Sequence, residues 1–106
     1  MVVGTPGGST IITSVLQNII NVVDYDMGMQ ESVNKARFHH QWMPDHVRME
    51  PKGFDSITKV NLKRLGYTLL ERNSLIIGRV DAILVLPNGK LEGGADPRGD
   101  DAAIGF

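Results

Sequence analysis

Cysteine is absent from all 106 residues, which removes disulfides, thiolate nucleophiles and Cys-ligated zinc together and leaves the redox compartment open. Charge excess is also missing. The 11 basic and 12 acidic residues leave a formal charge of -1, so the chain carries no electrostatic footprint for nucleic acid or an anionic membrane surface. Long apolar runs are lacking as well: the richest segment, Ile11 to Val23, is interrupted by Thr13, Ser14, Gln17, Asn18 and Asn21. It does not read as a membrane span, and no basic region precedes a signal-like stretch. No internal repeat or linker divides the sequence. With 42% hydrophobic and 22% charged residues, the composition is that of one modest globular domain covering residues 1–106.

Ile11, Ile12, Val15, Leu16, Ile19, Ile20 and Val23 recur at helical spacing, so the pattern predicts a helix whose apolar face is buried against a sheet. Its β-branched residues have modest helix propensity, which leaves packing to hold it. A break at Asp24 to Gly28 precedes a short helix over Gln30 to Ala36. Phe38 to Trp42 reads as extended, and His46 to Glu50 as a half-buried strand before Pro51. Asp55 caps a helix from Ser56 to Leu65, carrying Ile57, Val60, Leu62 and Leu65 and closed by Gly66. Strands follow at Tyr67 to Glu71 and Val80 to Leu86. The Asn88-Gly89 pair turns the chain back so that Leu91 to Ala95 pairs antiparallel.

The segment Gly4-Thr5-Pro6-Gly7-Gly8-Ser9-Thr10 joins an apolar Val2-Val3 run to the first helix. Pro6 restricts φ, and Gly7 and Gly8 lack a Cβ, so a ligand atom can come within hydrogen-bonding distance of their amides. The first N–H groups of a helix have no internal partners, and the macrodipole adds partial positive charge. Such a start suits a phosphate, a carboxylate or a transition-state oxyanion; it is also the geometry of a tight turn that binds nothing.

Other candidate clusters are weaker. His39, His40, Asp45 and His46 could suggest a metal, but neighbouring strand residues point to opposite faces, so hydrogen-bonded structural histidines are expected. Asp96, Asp100 and Asp101 near Arg98 lack the ligand spacing of a calcium loop, and a solvated, Arg-tethered turn is the expectation. Trp42 with Phe38 reads as core, and Met27 with Met29 as packing. Neither a metal nor a cofactor is expected.

Taken in order, Gly4-Thr5-Pro6-Gly7-Gly8-Ser9-Thr10, Asn34 with Arg37-Phe38-His39-His40-Gln41-Trp42, and Ala95-Asp96-Pro97-Arg98 before Gly105-Phe106 resemble the C-terminal part of the small subunit of gamma-glutamyl transpeptidases, or glutathione hydrolases. The resemblance spans essentially the whole chain. Two departures are Thr5, where the family usually has serine, and Lys35-Ala36 in place of an Ala-Pro pair.

The resemblance implies an α+β fold, part of the four-layer αββα sandwich of N-terminal-nucleophile hydrolases, produced by a self-cleaving precursor. It implies acyl transfer of the γ-glutamyl group of glutathione or a related compound to water or an amino acid, through a threonine at the new N-terminus. It places Gly7 and Gly8 as the backbone oxyanion hole. The family's Thr-Thr-His motif, its paired serines and its amino-group-binding acidic residues do not occur in this chain, and Thr5, Thr10 and Thr13 are not substitutes, because none is N-terminal or beside a plausible base. The chain alone is therefore expected to be inactive. Its implied partners are the rest of the small subunit, the large subunit and a γ-glutamyl compound, in a periplasmic or extracellular parent. Because the chain holds only part of a sandwich, it is also expected to self-associate. The alternative is a stand-alone, non-catalytic module that binds a small carboxylate or phosphate at the Gly7-Gly8 helix start.

Overall fold

The computed structural model describes residues 1–72 and 76–105; Phe106, the last residue of the terminal motif, lies outside them. The elements run β1 (Val2–Gly4), α1 (Thr10–Val23), α2 (Met29–Asn34), β2 (Phe38–His39), β3 (Val47–Met49), α3 (Ser56–Arg64), β4 (Leu69–Glu71), β5 (Asp81–Val85) and β6 (Leu91–Gly94). They form two three-stranded sheets, ordered β1-β5-β6 and β2-β3-β4. The first is antiparallel throughout, and the β5–β6 hairpin closes at the Asn88-Gly89 turn as its sequence demands. In the second, β2 and β3 are antiparallel whereas β3 and β4 run parallel, joined through α3.

Alternation in the first sheet separates two apolar faces. Val3 opposite Ala82, with Leu84, turns inward; Met29 and Val33, four apart on α2, pack there with Val80 and Val22. Each such side chain contributes about 1.5–3 kcal/mol when fully buried. Val2 opposite Ile83, and Val85 opposite Leu91, turn the other way and are exposed.

The first helix reverses the expectation. Its buried residues are Thr10, Ser14 and Asn18, spaced four apart, while Ile12 is 76%, Leu16 51% and Val23 65% exposed. The reason is hydrogen bonding to neighbours that are themselves polar. Asn18 Oδ1 accepts from Ser32 Oγ at 2.9 Å. The Gln17 amide both donates to Phe38 O (2.8 Å) and accepts from Phe38 N (3.1 Å), serving as a strand partner for β2. Gln30 treats Ala95 the same way at the end of β6 (2.8 and 3.0 Å).

Elsewhere, α3 starts at its Asp55 cap, whose carboxylate accepts Thr58 N at 2.6 Å, and stops before Gly66 at φ 94°. Its apolar positions Ile57, Val60 and Leu65 are nevertheless exposed. The extended segment ends at His39 rather than Trp42. Trp42 has φ 69° and lies 77% exposed, so it is not core. Phe38 does meet Phe54 edge to face, with centroids 6.1 Å apart.

The C-terminal turn is likewise not a solvated one. Asp96 is 1% exposed and pairs with Arg37 Nη2 at 2.7 Å and Arg98 Nη1 at 3.0 Å. Arg98 also grips Glu50 bidentately, Nε to Oε1 at 2.7 Å and Nη2 to Oε2 at 2.5 Å. The carboxylates spend their other lone pairs on backbone: Glu50 accepts Arg37 N and Ile77 N, and Asp96 accepts Val80 N at 2.6 Å. Arg37 donates to the carbonyls of Val33 (2.8 Å) and Ile77 (3.0 Å). Four charges thus tie together α2, the end of β3, residues 77–80 and the segment after β6. Burial disfavours the Asp96 carboxylate, but the N–H groups of Val80 and Arg98 and the two guanidiniums outweigh it and hold its pKa below the ordinary carboxylate range. Burial, opposed by Asp96, lowers the pKa of Arg37.

Breaking a buried pair leaves an uncompensated charge, so Asp96→Asn is expected to lower unfolding free energy by about 3–5 kcal/mol at neutral pH. Because the folded Asp96 pKa is depressed, its contribution is complete above the unfolded value of about 3.9 and is lost as pH falls through the folded value. Urea denaturation from about pH 7 to pH 3 is expected to give a flatter acid limb for the variant than for the wild type.

Candidate functional site

The Gly7-Gly8 turn is defined by its carbonyls. Gly7 O accepts both Thr10 N (3.2 Å) and Thr10 Oγ1 (2.9 Å), and Gly8 O accepts Ile11 N (3.1 Å), so both carbonyls are drawn into the first turn of α1. Among the described residues, neither the Gly7 nor the Gly8 N–H donates to a protein group. Gly7 sits at φ 142° and Gly8 at φ 60°, both in the region that favours glycine, and a Cβ on Gly7 would collide with Thr10 Oγ1. Ser9, the N-cap, makes no side-chain cap.

Residues 76–80 brace the turn from below. Thr5 Oγ1 accepts Arg79 N and donates to Pro6 O, both at 2.7 Å, which a serine hydroxyl at this position could equally do. A Cβ on Gly78 would come within 2.8 Å of Thr5 Oγ1 and of Ser14 Oγ. The same residues 77–80 are held by Glu50, Arg37 and Asp96, so the ion network sets the height of the platform under the glycine pair.

Two consecutive amides without protein partners among the described residues stand at the start of a 14-residue helix, where the helix dipole adds partial positive charge. The other candidates do not join it. His39 is buried, with Nδ1 2.7 Å from Thr13 Oγ1 and Nε2 2.8 Å from Gln41 Oε1. Thr13 therefore does lie beside a histidine, contrary to the sequence expectation, but its hydroxyl is part-buried and also bonds Thr10 O at 3.2 Å. His40 pairs with Asp45 at 3.1 Å and meets Tyr67 edge-on. Among the described residues no group of three acidic or histidine side chains could hold a metal. The Gln17 and Gln30 clamps and the Thr13–His39 contact had no sequence signal, since each pairs residues 21 or more positions apart.

Comparison with known proteins decides the family. The family model for gamma-glutamyltranspeptidase matches residues 1–106. The chain belongs to the gamma-glutamyltranspeptidase family. It is 43% identical over 107 residues to the glutathione hydrolase proenzyme of Escherichia coli K12, all of this chain matching 18% of that protein's length. Among solved structures it resembles an acivicin-inhibited gamma-glutamyltranspeptidase, whose C-terminus has critical roles in autoprocessing and catalysis, at TM-score 0.87 and 47% identity, covering 94% of this chain and 54% of that one. The CapD transpeptidase of Bacillus anthracis superposes over 98% of this chain and 62% of its own at TM-score 0.82 with 21% identity, a likeness of fold. These neighbours place the chain in the N-terminal-nucleophile hydrolase fold, and the family's members are glutathione hydrolases, enzymes rather than passive binding modules.

The turn's geometry makes Gly7 the less replaceable glycine. Gly7→Ala is expected to cost about 1–3 kcal/mol of stability from backbone strain alone, with the Thr10 collision added. Gly8, whose Cβ would meet nothing within 4 Å, is expected to lose about 1–2 kcal/mol on change to alanine. Urea midpoints of the two variants give the order directly.

Proposed function

We propose that residues 1–106 are the C-terminal part of a gamma-glutamyl transpeptidase small subunit and that the N–H groups of Gly7 and Gly8 form its oxyanion hole. The observation that carries the reading is the pair of adjacent amides without protein acceptors at the start of α1, inside a chain that matches the family end to end. In the whole protein, the hydroxyl oxygen of an N-terminal threonine adds to the γ-carbonyl carbon of glutathione, and the carbonyl π electrons move onto oxygen. The two amides receive that negative charge. Expulsion of the cysteinylglycine amine, which takes up the proton shed by the threonine hydroxyl, leaves a γ-glutamyl ester. Water or an acceptor amino acid then adds to the ester carbonyl, and the threonine oxygen leaves with a proton. Donors aimed at charge that exists only in the transition state lower the barrier without tightening ground-state binding.

The chain spans about a fifth of the length of the Escherichia coli relative and about half of the solved gamma-glutamyltranspeptidase chains. No Thr-Thr-His run occurs among its 106 residues. Its working partners in this reading are the remaining small-subunit residues, the large subunit and glutathione or another γ-glutamyl compound. A stand-alone carboxylate- or phosphate-binding module is not favoured, because the match extends over the whole chain and its relatives are enzymes. No helix among the described residues is long and apolar enough to cross a membrane.

Purified alone, the chain is expected to release no nitroaniline from a γ-glutamyl 4-nitroanilide; release that tracks the 106 residues through repurification counts against the proposal. In the whole enzyme, Gly8→Val keeps the N–H but cannot hold the left-handed φ of 60° without strain, so by displacing the amide it is expected to reduce kcat by up to about 10²–10³, the worth of one oxyanion donor in comparable sites, with much less change in KM. The exposed Ile12, Leu16 and Val23 of α1, together with Val2, Ile83, Val85 and Leu91 of the first sheet, also make the isolated chain self-associate in this account. Sedimentation velocity at micromolar concentration tests it, and a sharp monomer contradicts it.

A further inference from the structure

Register carries Arg48 to the glycine turn. In the β2–β3 pair Arg48 lies directly opposite His39, and residues opposite each other in an antiparallel ladder project to the same face. His39 reaches Thr13 of α1, so Arg48 emerges on that helix's side of the sheet, toward its N-terminal end. There it lines an open cavity of about 320 Å³ with Gly7, Ser9 and Thr10 on one wall and Gly78 and Arg79 on the other. Two arginines thus line one hollow, and no acidic residue is among the described residues of its lining; the Arg79 side chain also passes Gly99. Among the described residues neither arginine forms an ion pair, whereas Arg37 pairs with Asp96 and Arg98 with both Asp96 and Glu50. The Ser9 hydroxyl on the rim is likewise not spent on capping α1.

We infer that Arg48 and Arg79 receive the C-terminal carboxylate of the group on the far side of the scissile bond: the glycine carboxylate of the departing cysteinylglycine, or that of a dipeptide acceptor entering the same place. The inference rests on the oxyanion reading of Gly7 and Gly8. With the γ-carbonyl oxygen at those amides, the two residues beyond it extend about 7 Å, and the cavity begins at Gly7 itself. Guanidinium pairs suit a carboxylate because each offers two parallel N–H donors in the plane of its oxygens. The volume is at the lower end of the range for small-ligand sites, about 300–1,000 Å³, which fits the tail of a dipeptide rather than a whole substrate.

The test uses the whole enzyme and reads a ratio, so a general loss of activity cancels. Wild type is expected to favour glutathione over its C-terminal amide about tenfold in kcat/KM, the value of one charge-assisted contact. Arg48→Gln and Arg79→Gln are expected to bring that ratio close to one, with the loss in KM, and Arg48→Lys to restore part of it. Glycylglycine against glycylglycinamide as acceptor, measured in the same variants, assigns the carboxylate to the leaving group, the acceptor or both. A ratio near one in wild type, or a ratio the variants do not change, overturns the inference. A second arm is independent of catalysis: the whole enzyme titrated calorimetrically with cysteinylglycine and with its C-terminal amide. Tighter binding of the free carboxylate that Arg48→Gln removes supports the site even if the enzymatic reading fails; equal affinity for both ligands, or a preference that Arg48→Gln leaves unchanged, overturns it.

Discussion

Four stretches far apart in sequence, α2, the end of β3, residues 77–80 and the segment after β6, are tied at the contact of Arg37 and Arg98 with Asp96 and Glu50. Arg98 holds Glu50 bidentately and Asp96 at 3.0 Å, while Arg37 closes on Asp96 at 2.7 Å. A buried ion pair is weak evidence for net stability, since desolvation offsets much of its attraction. Its role here follows from what the spare lone pairs do. They accept the N–H groups of Arg37, Ile77 and Val80, which gives defined positions to backbone that belongs to no helix or strand. Apolar side chains of similar volume could fill the same space but could not fix the register of residues 77–80, and it is these residues that lie beneath the glycine turn.

That dependence joins fold to function. Strand β5 begins immediately after this segment, and β5 pairs with β1, which leads directly into Gly7 and Gly8. The turn is therefore held from two sides, covalently through β1 and by contact through Thr5, Ser14 and Gly78. An oxyanion hole is useful only if its donors are in place before charge develops. In the proposed oxyanion reading, the charge-tied segment 77–80 supplies that preorganisation from beneath the turn.

The sequence disclosed elements better than it disclosed faces. Asp55 and Gly66 bounded α3 within a residue, and Asn88-Gly89 placed the hairpin, because cap and turn chemistry is local. The apolar stripe of α1 predicts the helix but not its inward face. Within the described residues that helix turns Thr10, Ser14 and Asn18 inward and leaves Ile12, Leu16 and Val23 open. Periodicity reports that a face is apolar, not what covers it, and a helix in a layered fold has two neighbours. The Asp96-Pro97-Arg98 turn looked solvated for a related reason: the partner that buries it, Glu50, lies 48 positions away from Arg98. The glycine pair itself is legible from composition and spacing, whereas Arg48 comes beside it only through the β2–β3 register and Arg79 only through its contact with Thr5.

The central claim is that the free amides of Gly7 and Gly8 receive the oxygen of a tetrahedral γ-glutamyl species. A crystal structure of the whole enzyme with a tetrahedral boronate analogue of the γ-glutamyl group addresses it directly. The account predicts one boronate oxygen about 2.7–3.1 Å from both the Gly7 and Gly8 nitrogens, with α1 and residues 77–80 unmoved. An analogue whose oxygens point to solvent or to side chains, with both amides left unengaged, would contradict it.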